Sequence, residues 1–312
     1  MLYNCEEKES EPSQQRSTLS RGRFDTKSLS LIKHFLDHFP PCFCEYNAVN
    51  LFCWADIYDY AWFSYKGRLL IYDGKNNISF MPLGCEFTPE ELYSLSHELM
   101  CKGLSPHLGL VPRSYIDNHP DLHHYFTAEE DRDAAEYIYK IGNLVALKGK
   151  RLQKKKNLVS QFHRRYPDHR VLVMDERLRP EVLTFARDLL EAREPVPQSL
   201  MEEAVAIEKA FDNWDRLDLE GLVVTVDDNI AAFAVFSPLN LDTFNVHFEK
   251  ANIAYKGAAQ VINQETARYL SDRAVYINRE QDLGIPGLRQ AKKSYDPHRL
   301  LVPWMLKLKA NA

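Results

Sequence analysis

Five consecutive residues, Asn278-Arg279-Glu280-Gln281-Asp282, place two carboxylates, a guanidinium and two amides directly after the apolar run Ala274-Val275-Tyr276-Ile277. A short apolar run of this kind reads as a strand. The charged residues then lie at the carboxyl end of a sheet, where open α/β folds bind their ligands. Acyl transfer to an amine or hydroxyl requires a base for the incoming nucleophile and a donor for the developing oxyanion. Glu280 and Asp282 are candidate bases, and Arg279 can neutralise a carboxylate or phosphate. The competing reading is an internal ion pair that fixes the turn, with Asp282 capping a helix that begins at Leu283.

Upstream, Thr243 to Glu249 alternates in the manner of a strand, with Phe244, Val246 and Phe248 on one face and Asn245, His247 and Glu249 on the other. His247 and Glu249 are further polar candidates: either their face borders a cleft, or it packs under a helix and Glu249 pairs with Lys250 or Lys256. Lys256-Gly257 opens the next helix, whose apolar face carries Ala258, Ile262 and Tyr269. The N–H groups at a helix start attract anions, so this pair is a candidate phosphate contact. Tyr295, after the last helix, can give a proton to a leaving group.

The elements that position these residues follow an order of hairpin, strand, helix, strand, helix. Leu222–Val226 and Ile230–Phe236 flank the turn Asp227-Asp228-Asn229. The strands around Val246 and Tyr276 are expected to run parallel, joined by a right-handed helical crossover. Earlier in the chain, Leu29, Ile32 and Leu36 mark an amphipathic helix ended by Pro40-Pro41. Leu69–Tyr72 and Ile78–Met81 form a second hairpin, and Thr88-Pro89-Glu90-Glu91 combines a capping box with a first-turn proline. Ser199 and Glu202 suggest another capping box.

Between Lys148 and Arg170 stand nine basic residues and one acid, Asp168, within a chain of net charge −5. Leu152, Lys155, Val159, Phe162 and Tyr166 form a helical stripe that Lys155 interrupts. Lys150, Arg151, Lys154, Lys155 and Lys156 are candidate contacts to a polyanion, a tRNA backbone or an anionic lipid surface. The alternative is a solvated helix face on which Lys155 snorkels.

With 312 residues, 45% of them hydrophobic, the chain has the size and composition of a two-domain globular protein. No apolar run reaches the length needed to span a bilayer. The N-terminus has no signal-peptide pattern, so a cytoplasmic protein is expected. All six cysteines precede residue 102 without the spacing of a zinc site, so no metal and reduced thiols are expected. No G-x-S-x-G elbow, phosphate-binding loop or dinucleotide fingerprint occurs.

Longer strings carry a resemblance. His247-Phe248-Glu249-Lys250-Ala251-Asn252, Tyr255-Lys256-Gly257, Ile262-Asn263-Gln264-Glu265, Tyr276 through Arg289, and the basic stretch Gly149 to Asn157 together resemble the C-terminal domain of bacterial phosphatidylglycerol lysyltransferases and their stand-alone relatives, within the GNAT superfamily. The resemblance implies an α/β (α+β) fold of two tandem GNAT-like domains, each a mixed sheet flanked by helices. The expected division is a disordered tail over 1–23, a first domain over 24–168 ending in the basic helix, and a second over 169–312 carrying the site. It implies an acyl- or aminoacyltransferase, in which the reading of the residues places Glu280, Glu249, Tyr295 and Arg279 in catalysis and Lys256, Gly257, Asn252 and Asn263 at the donor. Asp282 and His247 are structural or catalytic. No cofactor is expected to bind tightly, since aminoacyl-tRNA or an acyl-CoA is the donor substrate. The acceptor is a small molecule, peptide or lipid headgroup, and tRNA is a partner. GNAT donor loops are richer in glycine than Tyr255-Lys256-Gly257-Ala258, which favours the aminoacyl donor. The alternatives are an acetyl-CoA-dependent N-acetyltransferase of a small amine and a non-catalytic RNA- or anion-binding module.

Overall fold

The computed structural model describes residues 20–193 and 195–310. In chain order the elements are β1 (Ser20–Arg23), α1 (Leu29–His38), α2 (Ala48–Cys53), α3 (Ala55–Tyr58), β2 (Tyr60–Tyr65), β3 (Arg68–Asp73), β4 (Ile78–Phe80), α4 (Pro89–Cys101), β5 (Leu108–Val111), α5 (Arg113–Asn118), β6 (Phe126–Glu130) and β7 (Glu136–Lys140). There follow α6 (Ile141–Ala146), α7 (Gln153–Arg165), β8 (Arg170–Val173), α8 (Leu178–Glu191), α9 (Gln198–Asp212), β9 (Glu220–Val226), β10 (Asn229–Pro238), β11 (Thr243–Ala251), α10 (Ala258–Tyr269), β12 (Tyr276–Gln281), α11 (Pro286–Lys293), β13 (Arg299–Leu301) and β14 (Trp304–Leu308).

These elements form two compact units. The first, over 20–39, 55–130 and 303–310, is built on a seven-stranded sheet in the order β1-β2-β3-β4-β5-β14-β6. Only β4 and β5 in it run parallel. The expected hairpin is present, with Tyr72 opposite Ser79. Thr88 and Glu91 close a full capping box on α4, and the chain leaves that helix through Gly103 at φ +73°. Leu92, Leu95 and Leu99 of α4 are fully buried against Tyr65, Leu70 and Leu108 of the sheet.

The second unit comprises 40–54 and 131–302. Its sheet runs β13-β7-β12-β11-β10-β9-β8, and β11 with β12 is its one parallel pair. The β9–β10 hairpin, the crossover helix α10 and the parallel strands match the order read from sequence. Both units are thus mixed sheets flanked by helices.

The boundaries differ from those expected. Ser20–Arg23, assigned to the tail, is a strand paired with β2, while residues 1–19 lie outside the described residues. The basic helix α7 belongs to the second unit, because Leu152, Val159 and Phe162 share one core with Val261 and Ile262 of α10. Strand β7 likewise enters the second sheet, and β14 returns to the first between β5 and β6. Hydrophobic period assigns a segment to helix or strand, but the choice of sheet is a long-range pairing that local pattern does not encode. At α9, Pro197 occupies the N-cap position and no side chain caps it, so Ser199 and Glu202 form no capping box. Cys42, Cys44, Cys53 and Cys101 are free thiols, whereas Cys85 is disulfide-bonded, a departure from the expected reduced state.

Candidate functional site

Two irregularities meet where the parallel pair ends. The β11–β12 ladder stops at Asn245 opposite Asn278. On β11, Phe236 faces Val246 and the preceding Val235 faces Phe248, which leaves His247 as a bulged residue. On β12, Asn278 faces Ile138 and Gln281 faces Glu136, so one residue is extra there as well, and Glu280 sits in the left-handed region at φ +56°. Bulges re-aim side chains and concentrate beside functional sites.

The first bulge corrects the simple alternation. Val246 faces the core under α10, but after the extra residue it is Glu249, paired with Ala234, that takes this face. Glu249 and His247 are therefore on opposite faces of the sheet. On the α10 face, the Arg279 guanidinium donates to Glu249 at 2.6 Å, and both side chains are 15% exposed. Asn263 of α10 donates to the other Glu249 oxygen at 3.5 Å. Tyr295 lies under Arg279, with the guanidinium 5.2 Å from its ring centroid, and the Lys155 ammonium of α7 is 4.2 Å from the same ring. Burial pushes the Tyr295 phenol up to about 12, so it carries its proton at neutral pH. The interruption that Lys155 makes in the apolar stripe of α7 thus has a partner.

On the other face, Glu280 accepts from Asn50 of α2 at 2.8 Å and from Asn245 at 2.7 Å, and it lies 3.4 Å from Nδ1 of His247. Nε2 of His247 is 2.9 Å from the Ser237 hydroxyl, which in turn receives a bond from Asn47. Burial by itself would raise Glu280, but the hydrogen bond and charge of His247, the amide of Asn50 and the charge of Lys292 outweigh it, and the group is held below its ordinary value. Lys292 of α11 donates to the carbonyl oxygens of Arg279 at 2.6 Å and of Gln281, clamping the bulge from both sides. Burial depresses its ammonium to about 8.

Asp282 is fully buried and receives Arg289 through Nε at 2.9 Å and Nη2 at 2.8 Å, with Tyr137 at 2.5 Å and Arg132 at 3.2 Å adding to the fork. Burial opposes ionisation, yet these donors hold the carboxyl well below its usual range. Its role as a helix cap is not what the structure contains, because α11 begins at Pro286 and Asp282 instead accepts the N–H of Gly284. Arg132 and Tyr137, the other two partners, lie about 150 residues away in sequence and had no local signal.

Beside Glu280 is a set of buried groups that sequence reading did not single out. Glu136 of β7 accepts the N–H of Cys44 at 2.9 Å and the amide of Asn278, and Gln281 donates to Glu45 at 2.5 Å. Burial and the neighbouring Glu45 carboxylate drive Glu136 well above the ordinary carboxyl value, so Glu136 keeps a proton. The Cys44 thiol and the two carboxyls have ligand atoms within 4.8 Å of one another; the bonds just named engage the carboxyls, and Gln281 also donates to the Cys44 sulfur at 3.1 Å.

Gly257, expected at the donor, has a packing duty instead. Its φ is +100°, and a Cβ there would lie 2.7 Å from the Leu158 carbonyl oxygen and 2.9 Å from Phe162 Cβ, so α7 lies against the start of α10 at contact distance. The N–H groups of Ala258, Gln260 and Val261 are bonded to the carbonyls of Tyr255 and Gly257. Lys256 is exposed, and Asn252 is spent on a turn, accepting from Ala254 at 2.9 Å. Lys150, Arg151, Lys154 and Lys156 are exposed around α7, and Arg151 pairs with Asp296 at 2.5 Å.

A groove of about 890 Å³ opens between α8, α9 and the β10–β11 ribbon, with Glu249, Lys250 and Asn252 along one side. Among the described residues, no helix is long and apolar enough to cross a membrane.

A mixed sheet with a parallel pair that parts at a bulge, a crossover helix between those strands and polar groups gathered at the parting define an acyltransferase scaffold of the GNAT-like type. The chain belongs to the phosphatidylglycerol lysyltransferase C-terminal family, whose model matches residues 43–306. A conserved protein of unknown function from Bacteroides thetaiotaomicron superposes with a TM-score of 0.86 at 29% identity, over 94% of this chain and 100% of that one. L-PGS from Bacillus licheniformis shares the fold with a TM-score of 0.61 at 13% identity, over 91% and 92% of the two chains. A C-terminal domain assigned to a lysylphosphatidylglycerol synthetase of Agrobacterium fabrum does so at 0.63 and 12%, with the same coverage. No curated protein matches the sequence.

Proposed function

We propose that the second unit transfers an aminoacyl group from aminoacyl-tRNA to an amine or hydroxyl acceptor, with Glu249, Arg279 and Tyr295 at the reacting centre. The observation that carries the choice of donor is the contact at Gly257. A coenzyme A pyrophosphate needs an open helix start with free N–H groups, and here α7 fills that place. The same helix turns Lys154, Lys156, Arg164 and Arg165 outward, with exposed Lys150 just before it, the density of cations that a tRNA backbone requires. This favours aminoacyl-tRNA over acetyl-CoA.

In the reaction, the acceptor nitrogen or oxygen attacks the carbonyl carbon of the aminoacyl ester and forms the new C–N or C–O bond. The ester bond to the terminal ribose breaks. Glu249, fixed by Arg279 and bordering the groove, takes the acceptor proton, and the protonated Tyr295 phenol supplies one to the departing ribose oxygen; proton return from Glu249 to Tyr295 closes the cycle. Glu280, across the sheet, holds the bulge that presents Arg279 and is a positioning residue, as is His247.

The test is transfer of label from radiolabelled aminoacyl-tRNA, beside a thermal-shift screen with acetyl-CoA. Label transfer that Arg279→Ala lowers about a hundredfold supports the reading. Stabilisation by micromolar acetyl-CoA, with no release of label from the tRNA, overturns it in favour of an acetyltransferase.

A further inference from the structure

The groove beside β11 differs in character from the surface of α7. Its walls are apolar, formed by Phe185 and Leu189 of α8, Ile207 of α9 and Ile230 of β10, and Ile253 stands at its edge with 97% of its surface exposed. Its volume of about 890 Å³ is that of a ligand site. Its charges are mostly negative: five carboxylates against Lys250 and Arg193. Three of the five have cationic partners, Glu203 with Lys250 at 2.5 Å, Glu249 with Arg279 at 2.6 Å, and Asp228 with Arg170. Glu181 and Asp188 have none among the described residues. They are seven positions apart on α8, two turns of one helix face, or about 10 Å. Arg193 lies just past the end of that helix.

Resting on the reading of this unit as an acyltransferase, we propose that the groove is the acceptor site and that its acceptor is a short basic peptide. Two unpaired carboxylates at this spacing complement ammonium groups, the apolar walls complement the aliphatic stems and neighbouring side chains of a peptide, and Arg193 complements a terminal carboxylate. An anionic lipid headgroup meets net repulsion there. A simple polyamine has nothing for Arg193 to bind. Glu249 lines both the groove and the Arg279 pair, so an amine seated in the groove reaches the group proposed to take its proton.

Titration calorimetry on the full chain without any donor tests this, using a tetrapeptide with two lysines, spermidine and glycerol phosphate as probes. The tetrapeptide is expected to bind, more weakly as salt rises, and the double variant Glu181→Gln with Asp188→Asn to lose about tenfold in affinity. Both residues are exposed on a helix surface, so the variant keeps its fold, which its unfolding midpoint verifies. No binding of the peptide, binding unchanged in the double variant, or tighter binding of spermidine or glycerol phosphate than of the peptide each overturns the proposal. Because no donor is present, peptide binding without aminoacyl transfer leaves the groove assigned and removes only the donor reading.

Discussion

The two faces of the second sheet solve the same problem differently at the point where β11 and β12 part. On the α10 face the gap is bridged by a full ion pair, Glu249 with Arg279, stacked on Tyr295 and approached by Lys155. On the α2 face it is bridged by amides and an imidazole around Glu280, beside the proton-sharing carboxyls Glu45 and Glu136. A fixed pair of charges keeps its geometry and field at any ordinary pH. A network of neutral donors around carboxyls couples its geometry to protons. On the proposed function the first face meets the reacting groups, and the second holds a strained strand in register.

The sharpest way to break this comparison is Arg279→Ala. It leaves the Glu249 carboxylate half-buried with Asn263 at 3.5 Å as its remaining partner. Stripping one member from a buried pair costs about 3 kcal/mol, and removing a charge from the reacting centre lowers transfer by about a hundredfold. Denaturant unfolding and label transfer measure the two separately. A variant as stable and active as wild type refutes the role given to this face.

Glu280→Gln comes next, with a cost of about 2 kcal/mol from weakened charge-assisted bonds. The sign of its pH dependence follows from the lowered carboxyl of Glu280. Such a group contributes stability above its unfolded value, and that contribution is lost as pH falls through the folded value. Wild type should therefore lose stability faster than the variant on acidification, and unfolding curves between neutral pH and about pH 3 show it. Parallel curves contradict an ionised Glu280.

Glu136 has the opposite sign. Its folded value is raised, so the folded state binds more protons, and stability falls as pH climbs from the ordinary carboxyl value through the raised one. Removing the neighbouring charge by Glu45→Gln lets Glu136 release its proton more readily, bringing its folded value nearer the unfolded one, and should flatten the decline by about 1 kcal/mol. An unchanged slope in melting scans from pH 5 to 9 argues against shared protonation.

Much of the scaffold was legible beforehand because it is written in local period: the hairpins, the crossover helix, the parallel strands and the capping box at Thr88. Arg279, Glu249 and Tyr295 could be singled out as candidates from their residue types and positions, and the structure brings the three side chains together. What escaped has a common cause. His247 and Glu249 change faces through a bulge, and a bulge is one extra residue in one strand relative to another, invisible without the partner. Asn50, Glu136 and Lys292 join the site across as many as 230 residues. Gly257 carried a true signal, a helix start needing a left-handed residue, but the same glycine serves anion access or helix approach, and only the position of Leu158 separates them.

The smallest effect concerns the outer surface of α7, which belongs to the Glu249 face. Lys154 and Lys156 are exposed and their removal leaves the core of that helix, Val159 and Phe162, untouched. Lys154→Ala with Lys156→Ala should change unfolding by less than about 0.5 kcal/mol. If the helix contacts tRNA phosphates, each lost contact lowers the slope of log affinity against log salt by about 0.7 to 0.9. Filter binding across a salt series should then give a slope reduced by between one and two, with affinity weakened uniformly for different tRNAs. The companion substitution Lys155→Ala sharpens the comparison, since Lys155 points inward at Tyr295 and is the half-buried member of the run. It should leave the salt slope almost unchanged and lower transfer instead, dividing one basic helix into a side that holds the donor and a side that belongs to the reacting centre.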